Sequence, residues 1–490
     1  MKQVPFEAYM EWPQPFDGAH ADREIQRLNA PAQNLVWTTP SGVRFDLTVP
    51  PTVYPPREDT DLLASALNGQ RLRPGTRWLE IGCGSGALSL YAATFGCHIT
   101  ACDVNPLAVA ATRAHFEENG RDAQIYEGGP GPHSDGSLSQ WGGDRLYDVV
   151  VWNTPYLAST ALEEGALGPM EEAGLVDTDR QGLIQRLFSA MAAGQLLTQA
   201  GVAFLTVSSK GFADTAQAWA WSNGLAARTV ANTVFEDGES LDVLAVWRPF
   251  SNAPVVHLPV VGSTNDEIFQ RAEIIGATVR SDHQTAGRGR RGRKWVSQGG
   301  AMLASWLVGS GKGLSHQTMD QLRVGEGLQR LVRAWATCDP ARVQLKWPND
   351  LFIKHEGGGH RKAGGVLFEG TSKGSEHRLV LGVGLNLRSA SDAEFGALSD
   401  LNLTLDSVRV HRAVHALVAS LFESVEGLPL ESGWAPHVEG AVLEGIDCLG
   451  PLFYSGREVD VAGLSLSGGL HVDGFTEPVE RPEDVGWSGI

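Results

Sequence analysis

Nine consecutive residues, Gly287-Arg288-Gly289-Arg290-Arg291-Gly292-Arg293-Lys294-Trp295, alternate glycines with five cations and end on an indole. Guanidinium groups are permanent cations whose planar forks match carboxylates and phosphates. The glycines let such a segment fold over a bound anion as a disordered loop that orders and excludes water. Taken alone, the run is equally a solvated basic patch, a nucleic-acid contact or an import signal. Those readings leave its company unexplained. Gly262-Ser263-Thr264-Asn265 precedes it. Lys346-Trp347-Pro348-Asn349-Asp350, Lys362-Ala363-Gly364-Gly365 and Gly382-Val383-Gly384-Leu385-Asn386 follow.

A second group of residues lies in the other half of the chain. Glu80-Ile81-Gly82-Cys83-Gly84-Ser85-Gly86 has closely spaced glycines that let backbone pass a ligand without Cβ interference. Dinucleotide folds also use such turns, so the motif by itself does not choose a cofactor. Asp103, about twenty residues on, can accept two ribose hydroxyls, or cap a helix starting at Pro106. Asn153-Thr154-Pro155-Tyr156 adds chemistry. Asn153 Oδ1 and the carbonyl of residue 154 can each accept an N–H from a planar nitrogen. That would aim its delocalised lone pair at an electrophile, with Tyr156 walling the planar group. The alternative is an Asn-initiated turn that binds nothing.

These residues need elements to hold them. RWLEIGC, HITACDV and YDVVVWN read as buried parallel strands, with GVAFLTVSS a later one. SGALSLYAATFG and PLAVAATRAHFEENG read as helices, the second closed by Gly120. Alternating strands and helices predict a doubly wound α/β sheet with ligands at the carboxyl ends of its strands. The segment VWRPFSNAPVV, near residues 246–256, leaves this rhythm and marks a boundary. Beyond it come β-rich runs such as HRLVLGVGLNL and the helical HRAVHALVASLFESV, then a glycine-rich, strand-like tail from about residue 436.

With 490 residues, two or three domains are expected. The net charge of −18 is uneven: residues 1–250 carry 16 Lys+Arg against 29 Asp+Glu. An acidic first half disfavours naked nucleic acid as its partner. Five scattered cysteines without a C-x-x-C pair fit a reducing compartment better than a disulfide framework or zinc ribbon. Neither an apolar run of membrane-spanning length nor a signal-peptide pattern is found, so the expectation is a cytoplasmic protein. His355-Glu356-Gly357-Gly358-Gly359-His360 invites a metal, but its glycines and flanking strand-like runs predict a hairpin turn.

The basic loop and its companions resemble biotin protein ligases in order and spacing, over residues 254–430. Lipoate ligases lack the loop, which favours biotin. The resemblance implies ATP-dependent formation of biotinyl-AMP and transfer of biotin to a lysine of a carboxylase's biotin carboxyl carrier domain. It implies that Ser263, Thr264, Gln284, Gly287, Arg290 and Lys362 bind biotin. Arg288, Arg291, Trp295, Lys346, Asn349 and Asn386 would bind ATP, and Asp350 would help hold Mg²⁺. Arg288, Arg290 and Lys362 would stabilise the reacting anions. No recognition-helix module precedes the ligase, so no operator DNA is expected as a partner.

The first half resembles the HemK-like, release-factor glutamine-N5 methyltransferases over roughly residues 35–245, although Thr154 stands where they carry proline. Val53-Tyr54-Pro55-Pro56-Arg57-Glu58-Asp59-Thr60 resembles their cofactor-covering segment. The resemblance implies that Glu80, Gly82, Gly84, Gly86, Asp103 and Asn153 bind S-adenosylmethionine. Asn153, Thr154, Pro155 and Tyr156 would hold the acceptor, with Asn153 and Tyr156 catalytic. Glu127 is the one acid near the expected adenine contact. The acceptor is read as a release-factor glutamine. The alternatives are adenine N6 in RNA or DNA, and a module that binds cofactor without catalysis.

Together the expected fold is α/β. A Rossmann-like class I methyltransferase domain (1–249) precedes an α+β biotin/lipoate-ligase-type catalytic domain (254–430) and a small, divergent SH3-like β tail (436–490).

Overall fold

The computed structural model describes residues 29–488 except 68–71, 130–144, 156–181, 237, 296–299, 313, 315, 317, 337, 356–357, 374, 390–394 and 431–434. Tyr156 therefore lies outside the described residues, as does the side chain of Arg291. The chain divides into two compact units. One comprises Met1–Leu183, Phe204–Phe212 and Ala231–Val243, the other Ile184–Ala203, Ala213–Val230 and Leu244–Ile490.

The N-terminal elements are β1 (Gln33–Thr38), β2 (Arg44–Val49), α1 (Glu58–Leu67), β3 (Arg77–Ile81), α2 (Ala87–Thr94), β4 (His98–Asp103), α3 (Pro106–Glu118), β5 (Ala123–Glu127) and β6 (Tyr147–Asn153). They continue with α4 (Leu183–Ala192), β7 (Leu197–Ser208), α5 (Ala213–Ser222), β8 (Ala226–Val234) and β9 (Ser240–Trp247). β1 and β2 form an antiparallel hairpin. A seven-stranded sheet runs β5-β4-β3-β6-β7-β9-β8, with β3 parallel to both β4 and β6. Strands covered on both faces read as continuous apolar runs. Accordingly Trp78, Leu79, Ile81, Val149, Val150 and Val151 are almost wholly buried. The strand order reverses at β3, so the crevice between the carboxyl ends of β3 and β6 is where such sheets bind ligands. Both chemical motifs of the first half end up there.

Helix α3 starts and stops on local chemistry. Asn105 caps it, its side chain accepting from Leu107 N, and Pro106 follows at the first helical position. Gly120, at φ 59°, takes the left-handed residue beyond the C-terminus. The cap is thus Asn105, and Asp103 is left for other work.

The second unit contains β10 (Val255–Val261), α6 (Thr264–Arg271), β11 (Thr278–Gln284), β12 (Met302–Gly311), α7 (Thr318–Ala336), β13 (Val343–Lys346), β14 (Asp350–Lys354), β15 (His360–Lys373), β16 (Glu376–Leu385), α8 (Ser407–Phe422) and α9 (Pro436–Leu449). Its sheet runs β10-β11-β12-β16-β15-β14-β13. The β10–β11 pair is parallel, and the pairs from β11 onward are antiparallel. The histidine–glycine run joins β14 to β15 as a hairpin turn closed by His355 N on Gly359 O. No cluster of three metal-ligating side chains occurs among the described residues.

The tail folds as β17 (Leu452–Tyr454), β18 (Arg457–Val459), β19 (Val461–Leu464), β20 (Leu470–Val472) and β21 (Val485–Trp487), in a three-stranded and a two-stranded sheet. Its apolar residues share one core with Trp347, Leu345, Leu322 and α9. The same unit holds a buried cation. Arg228 donates to the carbonyls of Ser420, Glu423, Leu428 and Pro429 and lies over the Trp247 ring. No helix among the described residues is long and apolar enough to cross a membrane.

Candidate functional sites

In the first unit, the glycine loop follows β3. Gly82, Gly84 and Gly86 all have positive φ. A Cβ on Gly86 would sit 2.6 Å from Thr112 Cγ2, and one on Gly84 would sit 3.2 Å from the carbonyl of Tyr54. So the Val53–Thr60 segment does pass over this loop. Glu80 accepts from Ser89 N at 3.0 Å and from the Ser89 hydroxyl. Burial pushes its carboxyl up to about 8, with Asp103 adding to the rise. Asp103 Oδ2 accepts from Gly84 N and its Oδ1 from Asn105 N, both at 2.8 Å. The carboxylate braces the glycine loop as well as offering itself to a ligand. Glu127, at the end of β5, is exposed.

Asn153 ends β6. Its Nδ2 donates to Asp59 Oδ2 at 2.8 Å, while its Oδ1 is buried without a hydrogen-bond partner among the described residues. Thr154 is buried, and its hydroxyl donates to Thr206 O at 2.5 Å. Proline has no such donor, so threonine here ties the turn to β7 where proline would rely on ring stiffness. Asp59 escaped sequence reasoning: the covering segment was picked out, but not the bond it makes 94 residues away.

In the second unit, a cavity of about 180 Å³ is lined by Ser263, Thr264, Gln284, Arg288, Arg290, Trp295, Asn349, Asp350 and Lys362, among others. Thr264 reaches it because Ser263 occupies the N-cap of α6. Gln284 Oε1 accepts from Thr264 N at 2.8 Å and its hydroxyl at 3.1 Å. Behind them the Ser305 hydroxyl lies 2.7 Å from Thr264 Oγ1 and 2.5 Å from Asn265 Oδ1. A Cβ on Gly384 would lie 2.7 Å from the Trp295 indole and one on Gly365 3.2 Å away, so the ring rests on a glycine floor. Lys362 Nζ sits 5.4 Å from the centre of that ring.

Four expectations need correction or restriction. The basic segment is folded, not disordered. Gly289 N bonds Arg293 O, Trp295 N bonds Gly287 O, and Arg290–Gly292 forms a single 3-10 turn. Arg288 is not a free cation awaiting phosphate, because it pairs with Asp266 at 2.6 Å and Glu369 at 3.2 Å. These partners raise its affinity for its proton further and lower that of Asp266. Asp350, read as a Mg²⁺ ligand, pairs through Oδ1 with Lys362 at 2.6 Å, and no three metal-ligating side chains cluster among the described residues.

Gly287, Lys346 and Asn386, finally, do not line the cavity. A Cβ on Gly287 would lie 3.0 Å from Trp295 O, so this glycine makes room for the Trp295 backbone. Lys346 Nζ faces the rings of Trp487 at 5.1 Å and Phe352 at 5.9 Å, and burial pushes its ammonium down. Asn386 is buried, its Nδ2 bonded to Gly396 O and its Oδ1 without a partner among the described residues. Asp266, Ser305 and Glu369 were not anticipated, and Asn265 stood in a motif without a role. Of the three, Asp266, two residues beyond Thr264, carried a signal by position.

Residues 259–386 match the model of the Biotin/lipoate A/B protein ligase family, and residues 58–162 match that of Ribosomal protein L11 methyltransferase (PrmA). The chain carries a biotin/lipoate-ligase-type domain behind a methyltransferase-like one. Among curated relatives, Bifunctional ligase/repressor BirA of Salmonella typhimurium is 32% identical over 40% of this chain and 62% of that protein. Biotin--[acetyl-CoA-carboxylase] ligase of Mycobacterium tuberculosis is 34% identical over 29% of this chain and 53% of its own length. Ribosomal RNA small subunit methyltransferase C of Chromohalobacter salexigens is 32% identical over 19% of this chain and 25% of that protein. The chain thus spans between half and two-thirds of the length of these two ligase relatives.

Proposed function

We propose that the chain is a bifunctional enzyme, with working boundaries at 1–249, 254–430 and 436–490, the last an SH3-like module. The C-terminal half joins biotin to ATP as biotinyl-AMP and passes the acyl group to a carrier-domain lysine of a carboxylase. The observation that carries this reading is one cavity lined by Ser263, Thr264, Gln284, Arg288, Arg290, Trp295 and Lys362 together. Biotin's carboxylate must approach the α-phosphate, and cations at that meeting point offset their repulsion. Hydroxyls and the Gln284 amide suit the polar ureido ring. Trp295 offers a face to adenine. ATP would bring its own Mg²⁺. The test is biotin-dependent release of pyrophosphate. Arg290→Ala should lose ~2–5 kcal/mol of stabilisation by stranding a buried carboxylate. Release at the parent rate in that variant would refute the assignment.

The N-terminal half binds S-adenosylmethionine through Glu80, the glycine loop and Asp103, and methylates a planar nitrogen. The unpartnered Asn153 Oδ1 beside that loop supports this. Two acceptors are in view. The N-P-P-Y-like turn favours a release-factor glutamine, whereas the match to a ribosomal-protein methyltransferase model favours a ribosomal component. Tritiated methyl transfer from the cofactor to purified release factor, ribosomal subunits and DNA separates them. Labelling of DNA alone would overturn both. The protein is expected in the cytoplasm and without affinity for operator DNA.

A further inference from the structure

We propose that Asp59 fixes the amide of Asn153 in one orientation and thereby restricts the first site to methyl acceptors that present a hydrogen to Oδ1. This rests on the methyl-transfer reading above and deepens it. A side-chain amide has a donor end and an acceptor end, and the end facing a ligand decides what the site can take. Here the donor end is committed. Asn153 Nδ2 donates to Asp59 Oδ2 at 2.8 Å, and an ionised carboxylate has no hydrogen to offer in return. Turning the amide over would set Oδ1 against Oδ2, two acceptors in a buried place.

Asp59 is itself held. It is 3% exposed. Its Oδ1 accepts from Thr60 N at 2.7 Å and Thr60 Oγ1 at 3.2 Å, and its Oδ2 also accepts from the Tyr54 hydroxyl at 2.8 Å. The covering segment therefore delivers a rigid carboxylate to the back of the Asn153 amide. What remains is Asn153 Oδ1, buried and without a partner among the described residues. Such an orphan costs ~1–3 kcal/mol in the free protein, and a ligand N–H recovers it. A primary amide or an exocyclic amine satisfies it, while a ring nitrogen bearing no hydrogen does not. In the transfer, the sulfonium C–S bond breaks with its electron pair kept by sulfur. The nitrogen lone pair forms the new N–C bond, and the nitrogen's proton leaves to solvent. Asp59 takes no part in that proton's path, because both its oxygens are occupied. It is a positioning residue.

The full-length protein should be compared with Asp59→Asn, Asn153→Ala and the double variant. Calorimetry with S-adenosylmethionine should give an affinity for Asp59→Asn within about threefold of the parent. Single-turnover methylation of release factor or ribosomal subunits should fall about 10- to 100-fold in Asp59→Asn, a loss of positioning. The double variant should be no slower than Asn153→Ala, since one residue acts through the other. Losses that multiply would overturn the proposal. So would a general weakening of cofactor binding in Asp59→Asn. An acceptor-free measurement runs alongside. The side-chain ¹⁵N amide signal of Asn153, assigned by its disappearance in Asn153→Ala, should move in Asp59→Asn, and a signal that stays put refutes the contact. If the parent labels neither substrate, the acceptor reading fails and the amide signal alone decides the role of Asp59.

Discussion

The two sites solve opposite electrostatic problems. In the first, Glu80, Asp103 and Asp59 are all buried carboxyl groups set around a glycine loop. In the second, Arg288, Arg290, Arg293, Lys294 and Lys362 line one cavity. A sulfonium cofactor suits the former sign, and a carboxylate meeting a triphosphate suits the latter. The means of holding charge differ too. The carboxyl groups of the first site accept from backbone N–H and hydroxyl donors, and burial opposes ionisation of Glu80 and Asp103. At least two cations of the second are steadied by carboxylates, Arg288 by Asp266 and Glu369 and Lys362 by Asp350. One site is therefore sensitive to protons near neutrality and the other is sensitive to neighbouring charge.

The largest expected effect tests the proton side of this contrast. Glu80 titrates at about 8, against the usual 4.5, so at neutral pH it is mostly protonated in the free protein. A bound cation favours the carboxylate, and binding releases a proton. Affinity for S-adenosylmethionine should therefore rise with pH and level off above about 8, by up to about tenfold per unit below that point. Glu80→Gln should flatten the profile. For the free protein the sign runs the other way. The folded chain keeps a proton that the unfolded chain gives up, so this group's contribution to stability falls between about pH 4.5 and 8. Nucleotide binding to the second site should lack this carboxyl-linked slope. Titrations of both ligands from pH 6 to 9 check the comparison, and a flat cofactor profile in the parent would break it.

The sequence made some of this legible. Apolar runs such as RWLEI and DVVVW announce strands because burial on both faces leaves no room for polar residues. Gly86 was legible since no other residue fits against Thr112 at positive φ. Motifs singled out Asn153 and Trp295, and the family resemblance singled out Gln284. Partners supplied from far along the chain were not legible. Asp59 lies 94 residues from Asn153, and Glu369 lies 81 from Arg288. Their types are ordinary, and only the fold tells a bracing carboxylate from a surface one. Arg228 is the same lesson in reverse. Arginine is a residue type that is mostly exposed, yet this one is 3% exposed and its donors are taken by carbonyls some 200 residues away. A boundary drawn at the prolines near residue 250 could not foresee that α5 and the start of β8 belong with the second compact unit.

A smaller effect is expected where the tail meets the ligase-type domain. Trp487 lies 5.1 Å from Lys346 Nζ, which is also near Phe352. Trp487→Ala removes a cation–π partner worth about 0.5–2 kcal/mol. If Lys346 serves the phosphates, KM for ATP should rise several-fold while KM for biotin stays unchanged. An equal rise in both would mean that the tail supports the fold in general.

The smallest predicted effect concerns Glu369, and it asks whether the carboxylates around Arg288 neutralise the cation or aim it. Glu369 accepts from Arg288 and from Asn265 Nδ2, the latter at 2.6 Å. Glutamine keeps an acceptor oxygen of similar reach, so Glu369→Gln should leave the fold intact while removing one negative charge. Asp266 would still grip Arg288 through two bonds, at 2.6 and 2.7 Å. If Glu369 chiefly neutralises, the net positive charge at the cavity rises and ATP should bind more tightly. Arg288 and Glu369 are about one-third and one-quarter exposed, so solvent screens the pair and the gain should be only about 0.2–1 kcal/mol, less than fivefold. If Glu369 chiefly aims the guanidinium, the same variant should weaken ATP instead. Pyrophosphate release at varied ATP, with biotin saturating, reads the sign directly. A weaker KM would show that the second site, like the first, uses a carboxylate to orient the group that meets its ligand, and the contrast between the two would then lie in charge alone.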